Sequence, residues 1–287
     1  MDVSTFTARR QVLSTPAGDI AYTEFGRGPA ALFVHGIGTS GLLWRHVIEE
    51  VSDTSRCIAI DLPAHGGTPA RADLSATALA QVAADLCDGL GLGQLDLVGN
   101  DTGGAVAQIF AARQPGRLRS LTLTNCDSEG NFPPPDFAPV VGLARHGALA
   151  EQLAALTAQL TADPAAWADS PLSAGYQHPE QVPFEVRLAH LAAAGGTPER
   201  ARDFERLLAA IDDADLEAVS EALRALDVPT LLVWGTGDAA FGIKWAYQLR
   251  DMIPGAREVI EVDEATVFFP EERPGDLVPH LRGHWGR

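Results

Sequence analysis

Gly99-Asn100-Asp101-Thr102-Gly103 sets a carboxylate at the centre of a Gly-x-Asp-x-Gly spacing, after an apolar run and before a helical pattern. That spacing is a strand-to-helix elbow, in which small neighbours let the backbone bend sharply and leave the central side chain standing at the head of a helix. The helix dipole favours an anion there, so Asp101 is expected to be ionised and aimed at a ligand. A serine at such a point attacks acyl carbon once a base has taken its proton. A carboxylate needs no deprotonation and can attack saturated carbon, as in an epoxide or alkyl halide, or can itself serve as a base. The competing reading is a helix N-cap, for which aspartate is equally suited. Gly99, Gly103, Gly104 and the preceding apolar residues favour the elbow.

The elements that must position this carboxylate follow a simple rhythm. Apolar runs at Ala30–Val34, Cys57–Ile60, Leu95–Val98 and Leu118–Thr124 alternate with helical patterns at Trp44–Val51, Ala76–Leu90 and Ala105–Arg113. This is the βαβ pattern of a parallel sheet covered on both faces. Arg10–Leu13 and Asp19–Glu24 read as an antiparallel hairpin that leads into it. After Asn131-Phe132-Pro133-Pro134-Pro135 the chain turns alanine- and leucine-rich as far as Leu226 and predicts helices without a strand. Strands return at Pro229–Trp234 and near Arg257–Val262, with a helix over Ile243–Met252 between them. The expected organisation is an α/β core of residues 1–130 and 227–287, with a helical cap at 131–226.

The formal net charge of −17 over 287 residues argues against nucleic acid or an anionic membrane as partner, since both call for clustered basic residues. Cys57, Cys87 and Cys126 are scattered and lack metal-ligand spacing, so they read as buried free thiols. The first eleven residues carry no signal-like apolar run, and no stretch reaches the ~18 apolar residues of a membrane span. A cytoplasmic location follows as the expectation. No metal or organic cofactor is implied. The expected partner is a small-molecule substrate, and a homodimer is allowed.

The order of motifs resembles the α/β-hydrolase fold over essentially the whole chain, and within it the branch of haloalkane dehalogenases and epoxide hydrolases. The residues that carry the resemblance are Phe33-Val34-His35-Gly36-Ile37-Gly38-Thr39-Ser40 with Trp44, then Asp61-Leu62-Pro63-Ala64-His65-Gly66, then the Asp101 elbow. Val233-Trp234-Gly235-Thr236-Gly237-Asp238 and Phe269-Pro270-Glu271-Glu272-Arg273-Pro274 complete it. The resemblance implies a mostly parallel sheet flanked by helices, with the ligand at the carboxyl edge of the strands. It further implies an oxyanion hole from the Ile37 and Thr102 amides, Asp238 as the triad acid, and a cap that selects the substrate.

Counting back from Pro274 puts Val267 where the resemblance calls for the triad histidine. A valine cannot direct water onto the ester that an attacking carboxylate leaves behind. Thr102 and Ile37 also stand where dehalogenases carry halide-binding indole and amide donors, and Tyr176 is the single tyrosine offered by the cap, where epoxide hydrolases present a pair. Asp127, in Asn125-Cys126-Asp127, would raise the pKa of one carboxyl of a pair if it met Asp101. Asn125 falls where some relatives take their acid. His35, Gly36, Trp44, Asn100, Asn125, Asp127, Phe132, Trp167, Tyr176 and Val267 are the expected pocket residues. The rings of His35 and His65 read as structural. His146, His178 and His190 read as surface or packed, with access to the pocket as the alternative, and Glu271 and Glu272 as solvating a loop end. Three readings of function stand: a hydrolase acting through Asp101 on a small or medium apolar substrate, a lyase, isomerase or cyclase in which Asp101 moves a proton, and a catalytically silent ligand-binding protein.

Overall fold

The computed structural model describes residues 1–167, 170 and 173–287, the side chain of 193 apart. Its centre is an eight-stranded sheet: β1 (Arg10–Thr15), β2 (Gly18–Phe25), β3 (Ala30–Val34), β4 (Arg56–Ile60), β5 (Leu95–Asp101), β6 (Leu118–Cys126), β7 (Thr230–Gly235) and β8 (Ala256–Val262). The spatial order is β1-β2-β4-β3-β5-β6-β7-β8. The β1–β2 hairpin is antiparallel and β2 joins β4 antiparallel, while every other pair is parallel. β3, β5 and β7 are buried along their whole length, as strands covered on both faces must be, whereas the edge strand β1 is largely exposed and the edge strand β8 is exposed in part.

The helices are α1 (Val3–Thr7), α2 (Arg45–Val51), α3 (Ala76–Gly89), α4 (Thr102–Arg113), α5 (Ala138–Arg145), α6 (Ala150–Ala162), α7 (Phe184–Gly195), α8 (Pro198–Ala209), α9 (Ala214–Glu217), α10 (Ser220–Arg224), α11 (Lys244–Met252), α12 (Phe269–Glu272) and α13 (Val278–Trp285). Serine caps α3: the Ser75 hydroxyl accepts from the Ala78 amide at 3.2 Å. Between β6 and β7 the described residues form α5 to α10 with short 3₁₀ turns and no strand. This helical insertion is tied to the core by Arg200 and Arg206, whose guanidiniums donate to the Gly66 and Arg71 carbonyls at 3.1 and 2.8 Å. The three cysteines are free and buried, and among the described residues no helix is long and apolar enough to cross a membrane.

β5 outruns its sequence pattern by three residues, because Gly99, Asn100 and Asp101 continue the ladder with β6 despite their polarity. That extension carries Asp101 to the carboxyl edge. α4 then packs close beneath the end of β3: a Cβ on Gly103 would lie 2.3 Å from the Val34 carbonyl oxygen and 2.4 Å from that of His35. Gly103→Ala would gain ~1 kcal/mol of helix propensity but collide with main chain that cannot swing aside, a cost of about 1–3 kcal/mol or more. Urea denaturation should therefore show Gly103→Ala to be net destabilised. Gly93→Ala, whose Cβ meets nothing within 4 Å, should stay within ~0.5 kcal/mol of the parent.

Candidate active site

Asp101 is the last residue of β5 and the N-cap of α4, at φ 56° and ψ −134°. A non-glycine residue at positive φ is held there only by its surroundings. One wall is Gly36, where a Cβ would come within 2.4 Å of the Asp101 carboxyl carbon. The Thr102 amide donates to Asp101 Oδ1 at 2.5 Å, and the Ile37 amide also faces this carboxylate and favours its charge. The two amides expected to form an oxyanion hole thus converge on the Asp101 side chain itself.

Burial works in the opposite direction. Desolvation pushes the Asp101 carboxyl up to about 7, against the Thr102 and Ile37 amides and with a further upward push from the charge of Asp238. Asp127, at the end of β6, is also buried, and burial followed by the charge of Asp101 raises its pKa well above the carboxylate range. The two carboxyls meet through one side chain: Thr102 Oγ1 lies 2.9 Å from Asp127 Oδ2 and 3.2 Å from Asp101 Oδ1. A hydroxyl has a single proton, so it cannot donate to both carboxylates at once. With Asp127 neutral, its carboxyl O–H donates to Thr102 and the Thr102 O–H donates to Asp101, and all three groups are satisfied.

Asp238 lies beyond β7, with its Oδ1 accepting from the Phe241 amide at 2.7 Å. Burial raises its pKa, while the amides of Phe241, Ala240 and Val267 restrain it. Its carboxylate is therefore held by main chain rather than by an imidazole. Val267 presents a buried isopropyl group, and its carbonyl accepts from Asn100 Nδ2 at 2.8 Å. Asn125 spends its amide on β7, donating to the Gly235 oxygen at 3.0 Å and accepting from the Gly235 nitrogen at 2.6 Å. It joins two strands and has no acid to offer.

His35 and His65 pack edge to face at 4.9 Å. The Leu62 amide donates to His35 Nε2 at 3.0 Å, and His35 Nδ1 lies 2.8 Å from the Gly36 oxygen. His65 is held in the same way between the Gly38 amide and the Pro63 oxygen. Burial pushes both imidazoles down to about 3. Neutral and bonded at both nitrogens, they shape the turns and are not free to carry protons. Trp44 is fully buried against Phe33, with ring centroids 5.4 Å apart, and belongs to the core. Phe132 is buried as well.

Where the helical insertion meets the loop before α12, Trp167, Tyr176 and Phe268 form an aromatic group. Centroids are 6.4 Å apart for the first pair and 4.9 Å for the second. The expectation that Glu271 solvates a loop end is corrected here: Glu271 is 5 % exposed, paired with buried Arg45, and accepts from the Tyr176 hydroxyl at 2.7 Å. Burial alone would raise its pKa, but His190, Arg45 and Tyr176 together overcome this and hold it at about 2. Glu272 accepts from the Gln177 and His178 amides at 2.9 Å each. Sequence reasoning missed this cluster, and the one available signal was an arginine at position 45, inside an otherwise apolar helical face. His190 lies within it, buried, with Nε2 3.7 Å from Glu271 Oε2, whereas His146 and His178 are exposed. A cleft of about 520 Å³ descends to Arg45 and Glu271 past His46, Gln177, His178 and Gln181.

Comparison with known proteins gives this geometry a context. Haloalkane dehalogenase 2 of Mycobacterium tuberculosis is 27% identical over 275 residues, covering 94% of this chain and 92% of its own. The cis-3-alkyl-4-alkyloxetan-2-one decarboxylase of Xanthomonas campestris pv. campestris is 26% identical, covering 92% and 91%. The solved structure of epoxide hydrolase CorEH superposes with a TM-score of 0.80 at 19% identity, covering 96% of this chain and 98% of that one. The sequence profile of the family described as alpha/beta hydrolase fold matches residues 29–272. With the sheet order, the elbow and this match in hand, the chain belongs to the alpha/beta hydrolase fold family.

Proposed function

We propose that the chain is an enzyme in which Asp101 is the reacting carboxylate, acting as a nucleophile on a small or medium apolar substrate held between the sheet edge and the helical insertion, which serves as its cap. The observation that carries this reading is the strained backbone of Asp101 at the head of α4, with the Thr102 and Ile37 amides turned onto its carboxylate. Strain and desolvation of a single carboxylate are costs that a silent binding protein has no reason to retain. Once the carboxylate has attacked carbon, the same two amides are placed to stabilise the oxyanion of ester cleavage.

A second reading is favoured by a different observation. The Asp127–Thr102–Asp101 chain of hydroxyl contacts can pass a proton between a buried neutral acid and the elbow carboxylate. That arrangement suits a lyase or isomerase, and the oxetanone decarboxylase among the relatives is named for a reaction that is not hydrolysis.

Three expected outcomes follow. Asp101→Asn should lower turnover by roughly a thousandfold or more, and the wild-type protein quenched during turnover should carry the substrate mass on the peptide containing Asp101. Intact activity in Asp101→Asn would refute both enzymatic readings. Thr102→Val keeps the amide and deletes the hydroxyl, so covalent labelling of Asp101 should stay within about tenfold; a loss of about 100-fold would favour proton transfer through Asp127. The third concerns stability. Between the ordinary value of 3.8 and about 7, the native state keeps a proton on Asp101 that the unfolded chain has lost, so stability falls as pH rises through that window. Below it both states are protonated, and above it the full penalty persists. The Tm of Asp101→Asn, relative to wild type, should therefore climb from pH 4 to pH 8. A difference independent of pH would contradict the raised pKa.

A further inference from the structure

α8 of the insertion buries Ala201, Phe204, Leu207 and Leu208 along one face, the spacing of an amphipathic helix laid on a support. On either side of Phe204, the guanidiniums of Arg200 and Arg206 donate to the Gly66 and Arg71 carbonyls. The helix is thereby pinned across the loop that carries His65. Phe204, 4 % exposed, meets the His65 ring edge to face with centroids 5.4 Å apart, and His65 meets His35 in the same way at 4.9 Å. Three rings therefore form a column from the insertion to the turn after β3.

What the foot of the column holds is one peptide group. The Leu62 amide donates to His35 Nε2 at 3.0 Å, so the neutral imidazole carries its proton on Nδ1 and donates it to the Gly36 carbonyl at 2.8 Å. The Thr39 hydroxyl donates to the same carbonyl at 3.0 Å. The Gly36–Ile37 peptide is trans, and the C=O and N–H of a planar trans peptide point in opposite directions. Holding the Gly36 oxygen on one side thus aims the Ile37 N–H toward the other, where the Asp101 carboxylate receives it. There is little slack, because a Cβ on Gly36 would come within 2.3 Å of Asp101 Cβ. His65 steadies the same turn, its Nε2 accepting from the Gly38 amide at 3.3 Å.

We propose that Phe204 is a positioning residue for Asp101, acting through His65 and His35 to aim the Ile37 amide at its carboxylate. The inference rests on the reading of Asp101 as the reacting group for its catalytic meaning. The insertion then does more than cover the substrate, since the docking of α8 sets one of the two donors at the elbow. The other donor, the Thr102 amide, belongs to α4 of the core. A ligand that seats α8 against the loop sharpens the site, linking substrate fit beneath the insertion to oxyanion stabilisation at the elbow.

Carbon NMR titration of the Asp101 carboxyl in Phe204→Leu tests this on the full chain. The Ile37 amide favours the charged form, so its misalignment makes the carboxyl harder to ionise. The ionisation constant should fall by about three- to tenfold, moving the midpoint above the wild-type value of about 7. Phe204→Tyr, which keeps the ring, should restore the wild-type midpoint. Asp127 and Asp238, the titratable groups that act on Asp101 from β6 and from beyond β7, are retained in both variants. A role in packing alone predicts the opposite sign, because a loosened insertion admits water, relieves desolvation and lowers the midpoint. An unchanged or lowered midpoint in Phe204→Leu would therefore overturn the proposal. If Phe204→Leu melts too early to titrate, Phe204→Met, which adapts to irregular space, should show the same rise. The titration is made without substrate, so it is read separately from the turnover of Asp101→Asn, which decides whether Asp101 reacts.

Discussion

The structure depends on one costly placement, a carboxylate held at positive φ in a buried turn. Asp101 reaches that position because β5 runs on past its apolar segment, α4 begins without an intervening loop, and the turn after β3 presents Gly36, with no side chain to fill the space. A Cβ at Gly36 would strike the Asp101 side chain, and one at Gly103 would strike the main chain of Val34 and His35. The strain of a single residue is of order 1–3 kcal/mol, and the surrounding sheet and helix can impose it only because both are otherwise fully packed.

Charge is handled at the site by a second economy. Asp101, Asp127 and Asp238 come from the ends of β5, β6 and β7, and their main partners in the structure are amides and one hydroxyl. Amides stabilise a carboxylate without neutralising it, so burial still drives protons onto the group. Arg45, the buried guanidinium that could have quenched this negative charge, is instead committed to Glu271. The result is two separate electrostatic centres: an acidic one at the elbow, where burial raises the carboxyl pKa values, and a charge-paired one under the insertion around Arg45 and Glu271.

The sheet and the elbow were legible in the sequence because they are local. Ala30–Val34 is a strand as read, the β1–β2 hairpin forms around its turn, and the ranges of β4, β6, β7 and β8 differ by a residue or two. β5 was cut short because Asn100 and Asp101 are polar and give no strand signal, although the ladder to β6 continues through them. The Asp127 contact was open in the sequence as a hypothesis, since adjacent parallel strands bring their ends together, but the mediating Thr102 hydroxyl was not foreseen. Glu271 was misread for a different reason. Its partners Arg45, Tyr176 and His190 lie 226, 95 and 81 residues away in sequence, and nothing local distinguishes a glutamate that meets a buried arginine from one that meets water.

The family accommodates both hydrolytic and non-hydrolytic chemistry on one scaffold, so the decision falls to the protonation of a single carboxyl and the groups coupled to it. The most direct measurement is a carbon NMR titration of the carboxyl of Asp101, assigned by its loss in Asp101→Asn. A midpoint near 7 that moves downward in Asp238→Asn is the predicted result, because removal of the Asp238 charge relieves part of the upward push. An ordinary carboxylate midpoint near 4, indifferent to residue 238, would contradict the account of a desolvated elbow.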